Sequence, residues 1–310
     1  ITFICAVVLI YSVGLYFSRK TFQPIRDIIS RVKEISKGNL HLRLIQPEGS
    51  DEIAELTKTF NQMLNSLETS FETQNNFISN ASHELRTPLT AIIGEADYAL
   101  GKERAAEEYK HSLKQIILQA EKLQELTKGL LALAQTGFDG KKQVWKTVRL
   151  DQLLFDVKEN CDAILPGNNI QVRVDRLPAD EERISIQGNY DLLKIAISNI
   201  TLNACKYSDN QRVDLSLHLE KDCFVLKVKD RGIGIPDDEL KYIYDPFFRA
   251  SNTRDYQGYG IGMPLANNII RLHNGEIKVS SMQGIGTQVS IIIPFVQSSS
   301  RKSTAFAKQL

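Results

Sequence analysis

The sequence has little that would staple it or steer it. Its four cysteines, Cys5, Cys161, Cys205 and Cys223, are widely spaced and form no CxxC pair. That spacing excludes a zinc ribbon or a disulfide framework and suits a reducing compartment. Charge is nearly balanced, at +1 overall, so no global electrostatic footprint points to direct nucleic-acid binding. Long apolar runs are scarce, with one at the N-terminal end. What is present is ordinary for folded protein: 42% hydrophobic and 24% charged residues over 310 positions. A chain of that length implies two or three units.

The apolar run, residues 1–17, carries no charge. A bilayer core takes about 20 apolar residues as helix. Tyr11 and Tyr16 stand where interfacial aromatics collect, and Arg19-Lys20 follow at once, which puts the next segment in the cytoplasm. A signal peptide would carry its charges before the run. The expectation is a transmembrane helix over 1–18, cut within the span, because the sequence does not begin with Met. Pro24 then opens a helix with Ile25, Ile28, Ile29, Val32 and Ile35 on one face, and Gly38-Asn39 stops it. Leu40, Leu42 and Leu44 alternate with His41 and Arg43, as extended chain does. Ser50 caps a further helix with Asp51-Glu52 in its first turn. Ile53, Leu56, Phe60, Met63, Leu67 and Phe71 follow at nearly heptad spacing.

That seam continues through Phe77, Ala81, Leu85, Leu89, Ile92, Ala96 and Ala99 to Gly101. A second helix carries Leu113, Ile116, Ala120, Leu123, Thr127, Leu130 and Ala134. A helical hairpin cannot hide its own apolar stripe, so two copies are expected to pair as a four-helix bundle. On the first arm stands Ser82-His83-Glu84-Leu85-Arg86-Thr87-Pro88-Leu89. His83 lies off the seam, toward solvent. Thr87 shares its face at i+4, and Pro88 predicts a kink beside it.

From residue 138 onward, after a linker at 137–142, short β-type runs alternate with helical ones. Strands are expected at 144–149, 170–174, 184–187, 213–219, 224–229, 276–280 and 287–293, and helices at 150–162, 190–207 and 261–273. The pattern predicts a sheet with helices packed on one face, an α/β sandwich. Four clusters carry chemistry. Asn199, Asn203 and Lys206 share a helix face, followed by Tyr207; amide oxygens suit a hard cation and an ammonium suits phosphate. Asp230-Arg231-Gly232-Ile233-Gly234 ends a strand, and glycines there let backbone approach a ligand. Asp245-Pro246-Phe247-Phe248-Arg249 precedes a polar stretch. Gly258-Tyr259-Gly260-Ile261-Gly262 opens a helix whose free N–H groups suit phosphate. Residues 297–310 are polar and aperiodic, as a flexible tail is.

The string around His83 resembles the phosphoacceptor box of sensor histidine kinases. The four clusters, in order, resemble the N, G1, F and G2 boxes of that family's ATP-binding domain, with Gly284-Ile285-Gly286-Thr287 resembling its last element. The stretch with Pro24-Ile25 and Asp51-Glu52-Ile53 resembles the HAMP signal-relay module. The resemblance covers nearly all of residues 20 to 295. It implies a multidomain chain: a truncated transmembrane helix (1–18), a HAMP module (19–72), a dimerisation and phosphotransfer hairpin (73–136), an α/β sandwich ATP-binding domain (137–296) and the tail.

It further implies that His83 takes the γ-phosphoryl group of ATP, that Glu84 accepts the imidazole proton, and that Thr87 orients water for dephosphorylating the partner. Asn203, supported by Asn199, would bind Mg²⁺; Lys206 and Arg249 would hold phosphates. Tyr207 would lie beside the nucleotide and Asp230 with Thr287 around adenine, between the glycines at 232, 234, 258, 260 and 262. Met263-Pro264 departs from the common Leu-Ser or Leu-Ala, and proline is tolerated in a first helical turn. The implied partners are a response regulator, a second copy and the inner (cytoplasmic) membrane, with the catalytic region in the cytoplasm. Two rival readings remain: an ATPase of the gyrase and mismatch-repair type, which would lack the phosphoacceptor box, and a membrane receptor acting mainly as a phosphatase.

Overall fold

The computed structural model describes residues 2–35, 39–45, 52–138, 145–174, 185–220 and 223–294. The chain divides into two compact units, Ile1–Asn80 and Ala81–Leu310. The Ser50 cap, the Gly38 stop and the 297–310 tail lie outside the described residues.

In the first unit, helix α1 spans Thr2–Ile35 without interruption. This corrects the expected break at Pro24. Nothing between residues 18 and 23 stops a helix, and one proline removes a hydrogen bond without ending the helix around it. Among the described residues no helix is long and apolar enough to cross a membrane. Phe3, Ile4, Leu9, Ile10, Tyr11 and Tyr16 are nevertheless exposed along α1.

Helix α2 spans Glu52–Leu100. Its first turns pack a small core with α1 and the connector: Ile35, Leu44 and Leu64 are buried, with Ile28, Val32, Leu40 and Phe60 around them. The described residues of the connector, 39–45, form no strand; they turn at 40–41. The Asn61 amide instead supplies the pairing that a strand would, accepting from Leu44 N (2.9 Å) and donating to Leu44 O (2.9 Å). Glu68 takes Arg43 and pairs with His41. The face of α2 buried here is Ala54, Thr57 and Leu64, while Leu56, Met63, Leu67 and Phe71 are about half exposed. Apart from Phe60, which packs against this core, the heptad pattern thus follows a second apolar face of α2.

In the second unit, the remainder of α2 and α3 (Ala106–Phe138) form the expected hairpin. Gly101 closes α2 by donating to Asp97 O. Helix α2 runs on through Pro88, which is buried. On α3 the expected seam and the face buried within this chain are different. Leu126 and Leu133 are the most buried apolar residues, whereas Leu113, Ala120, Thr127 and Ala134 are exposed. Leu126, Gly129 and Leu133 share a face at i, i+3 and i+7, and Gly129 abuts the Ile261 side chain. Helix α3 reaches Phe138, into the expected linker, and residues 139–144 lie outside the described residues.

Beyond it come β1 (Lys146–Arg149), α4 (Leu150–Ile164), β2 (Ile170–Val174), β3 (Ser185–Gly188), α5 (Tyr190–Tyr207), β4 (Val213–Leu219), β5 (Cys223–Lys229), α6 (Gly262–Leu272), β6 (Glu276–Met282) and β7 (Gly286–Pro294). The main sheet is mixed, in the order β2-β4-β5-β7-β6, and β1 pairs with β3 separately. Strand β2 runs parallel to β4, with Ile170 opposite Val213; the remaining pairs of that sheet are antiparallel. Alternate residues of β4 and β7, Val213, Leu215, Leu217, Val289, Ile291 and Ile293, are buried. Helices α4, α5 and α6 cover that face with Leu153, Leu154, Val157, Leu193, Ile197, Ile269 and Ile270, each 0% exposed. Each such side chain contributes about 1.5–3 kcal/mol by leaving water. Cys161 and Cys205 are inside this layer, their thiols pushed up to about 12 and about 11, chiefly by burial.

Candidate functional site

A cavity of roughly 650 Å³ opens between α3, α5, the start of α6, the ends of β5 and β7, and the segment 248–260. Helix α5 supplies one wall. Asn189 caps it, its side chain accepting from Leu192 N at 3.0 Å, and the helix then runs far enough to carry Asn199, Asn203 and Lys206 to the cavity. Gly262, which opens α6, lies directly against them: a Cβ there would stand 3.4 Å from Asn199 Oδ1 and 3.6 Å from Asn203 Nδ2. Two amide side chains therefore meet the N-terminal end of a helix, where unpaired N–H groups carry partial positive charge.

The opposite wall is built on Asp230. Its carboxylate is 7% exposed, and Oδ1 accepts from Gly232 N (2.8 Å) and Thr287 N (3.1 Å). Burial raises its pKa against the opposing pull of those two N–H groups. Thr287 Oγ1 meets Ser281 Oγ at 2.8 Å, and Ser281 Oγ accepts from Ile235 N. Gly232 is outside the lining but permits it: a Cβ would fall 2.2 Å from Tyr207 O. Gly234 has φ +66° and would drive a Cβ to 2.1 Å from Met282 O. Only glycine satisfies both the left-handed backbone and the close approach.

The two cations expected at phosphate, Lys206 and Arg249, are occupied by main chain. Lys206 Nζ donates to Gln257 O at 2.8 Å and sits 4.1 Å over the Tyr207 ring. Arg249 donates to Thr253 O and Tyr256 O. Tyr256 adds an edge contact to Tyr207 (5.2 Å between centroids) and donates its hydroxyl to Asp209 Oδ1 at 3.0 Å. Residues 249–257 thus cover the end of α5. Gly258 and Gly260 line the cavity, and Phe247, held at φ +68°, donates its N–H to Gly260 O.

His83, Glu84 and Thr87 do not line the cavity. His83 and Thr87 are exposed on α2 and Glu84 is half-buried. Thr87 Oγ1 donates to His83 O at 3.3 Å. Glu84 is electrically close to the cavity all the same: burial, then the Glu125 and Glu84 carboxylates, push the Tyr259 phenol up. Tyr259 lines the cavity and donates to Lys122 O of α3.

Sequence reasoning missed Tyr259, Ser281 and the α3 residues Leu126 and Gly129. Tyr259 alone had a signal, since it stands inside a glycine cluster already singled out. Among the described residues no group of three His, Cys, Asp or Glu side chains could hold a metal ion. The paired amides fit Mg²⁺, which usually keeps waters and binds largely through substrate phosphates.

Residues 73–137 match the His Kinase A (phospho-acceptor) domain, and residues 188–297 match the histidine kinase-, DNA gyrase B- and HSP90-like ATPase. Residues 16–69 match the HAMP domain. Sensor histidine kinase YkoH of Bacillus subtilis is 30% identical over 285 residues, 90% of this chain and 60% of that protein. The chain belongs to the sensor histidine kinases. Signal transduction histidine-protein kinase ArlS of Staphylococcus aureus, likewise 30% identical, is matched over 93% of this chain and 64% of its own length. The chain therefore spans roughly three-fifths of these curated relatives.

The histidine kinase AdeS of Acinetobacter baumannii shares the fold, with TM-score 0.52 and 19% identity, over 69% of this chain and 98% of that one. His83 lies inside the phospho-acceptor match. The description that gyrase B shares covers only the C-terminal match, residues 188–297.

Proposed function

We propose that this sensor histidine kinase binds ATP with Mg²⁺ in the cavity, phosphorylates His83, and passes the phosphoryl group to an aspartate of a response regulator. The observation that carries this reading is the convergence of Asn199, Asn203, Lys206 and Asp230 on one cavity in the unit that also exposes His83. The site suits the three parts of the nucleotide. Buried Asp230 presents a carboxylate edge to an amino group. The N-terminus of α6 and the Lys206 ammonium suit phosphate, and Asn203, with Asn199, offers oxygen to Mg²⁺. In the reaction the imidazole Nε2 of His83 forms a bond to the γ-phosphorus while the bond to the ADP oxygen breaks. The other ring nitrogen gives its proton to Glu84. Catalysis is positioning and charge stabilisation.

Exposed Leu89, Ile93, Leu113 and Ile117 on the hairpin support pairing of two copies. The exposed apolar side chains of α1 support association with the inner membrane. Thr87, exposed one turn from His83, supports a second activity: dephosphorylation of the regulator.

Incubation with γ-labelled ATP tests the reading. Acid-labile, base-stable label is expected, lost in His83→Gln, which retains nucleotide binding. Asn203→Ala is expected to abolish labelling while the dimer persists. Label that survives His83→Gln refutes the proposal.

A further inference from the structure

Helix α5 is tied to α6 at two places. One is the cavity end, where Gly262 meets Asn199. The other is the far end, at a buried histidine outside the site. His273 follows the last turn of α6 and is 4% exposed. Its Nδ1 bonds Ile269 O of its own helix at 2.7 Å. Its Nε2 accepts from the backbone N–H of Asn189 at 3.0 Å. Asn189 is the residue whose side chain caps α5. Only the neutral ring with its proton on Nδ1 satisfies both partners, and burial lowers the pKa in keeping with that. The ring is wedged in place. Trp145 lies 4.9 Å away, centroid to centroid, and a Cβ on Gly188 would stand 2.9 Å from Cδ2.

We propose that His273 is a positioning residue for the nucleotide site: it sets the first turn of α5 against the last turn of α6. The face bearing Asn199, Asn203 and Lys206 is thereby held in register with the N-terminus of α6. Without the Nε2 acceptor, the half-buried Asn189 N–H loses this bond. The cap then shifts to find water, and both amides move relative to Gly262. This inference rests on the nucleotide reading of the cavity.

The test uses the full 310-residue chain and ADP with Mg²⁺ as the probe, with affinity measured well below each variant's melting temperature. His273→Leu fills similar volume but accepts no hydrogen bond; its ADP dissociation constant is expected to rise about tenfold, in line with the loss of that bond. His273→Gln places Oε1 near the position of Nε2 and is expected to stay within about twofold of wild type on the same grounds. Gly188→Ala pushes the ring aside without removing it and should weaken binding in the same direction, which serves if His273→Leu does not fold. A role confined to packing would lower the melting temperature of His273→Leu and leave ADP affinity intact. That result, or His273→Gln binding as weakly as His273→Leu, overturns the proposal. Wild-type protein that binds no ADP overturns the nucleotide reading itself.

Discussion

Asp230→Asn separates nucleotide recognition from folding. Asp230 spends one oxygen on structure, since Oδ1 accepts from both Gly232 N and Thr287 N. Asparagine fills the same volume and keeps those bonds only if its carbonyl takes that position. Its NH₂ group must then stand where Oδ2 stood. In the proposed complex Oδ2 accepts from the adenine amino group; in the variant a donor faces a donor. A hydrogen bond to a charged group contributes about 1.5–3 kcal/mol, so the dissociation constant for ATP is expected to rise about 10- to 150-fold.

The melting temperature should move little, because both backbone bonds survive and the variant no longer buries a charge. Inosine triphosphate sharpens the test, since it carries a carbonyl oxygen where ATP has the amino group. Wild type should reject it; Asp230→Asn should bind it better than wild type does. Competition against a fluorescent nucleotide, with thermal melting in parallel, reads all three quantities. Unchanged ATP affinity, or equal losses for both nucleotides with a collapsed melting temperature, would refute the assignment of Asp230 to the base.

Gly234→Ala should lower stability by about 2 kcal/mol or more, from the left-handed backbone and the contact with Met282 O, and should abolish nucleotide binding; calorimetric melting and titration read both. Lys206→Met should weaken ATP more than adenosine, because its ammonium acts on phosphate; equal losses would place Lys206 elsewhere. His273 makes stability depend on pH. Its folded pKa lies below the ordinary 6.5, so the unfolded chain binds the proton more readily. Its contribution is full above 6.5 and is lost as pH falls through the folded value. Melting temperatures at about pH 7.5 and about pH 5.5 should differ more in wild type than in His273→Gln.

The catalytic half was legible where local chemistry and tertiary packing ask for the same thing. Helix α5 begins after a good capping residue, Asn189, and β4 alternates Val213, Leu215 and Leu217 against one core. The hairpin and HAMP-like helices were harder because they carry two apolar faces. Spacing drew attention to Leu113, Ile116, Ala120, Leu123, Thr127, Leu130 and Ala134, the seam expected to meet a second copy, while the apolar residues buried within the chain are Leu126 and Leu133. Pro24 misled because a helix can continue through one missing hydrogen bond when no other breaker is near. The cavity-lining residues Asn199, Asn203, Lys206 and Asp230 were found through clusters whose members lie close in sequence. His273 could not be, because its partner Asn189 is 84 positions away and a single histidine after a helix has no periodicity.

The glycines around the cavity have a consequence for how this pocket can change. Added methyl groups at Gly232, Gly234, Gly260 and Gly286 would meet the backbone oxygens of Tyr207, Met282, Phe248 and Asp230 at 2.2, 2.1, 2.4 and 2.4 Å. The pocket wall there is main chain against main chain, with no side chain to exchange. A compound that takes its contacts from these peptide groups would meet a surface that single substitutions cannot reshape without dismantling the fold. One that leans on the side chain of Met263 or Gln257, which line the cavity, would meet positions free to vary. Escape from an inhibitor of this site should therefore map to residues 249–257 and the start of α6 rather than to the glycine turns.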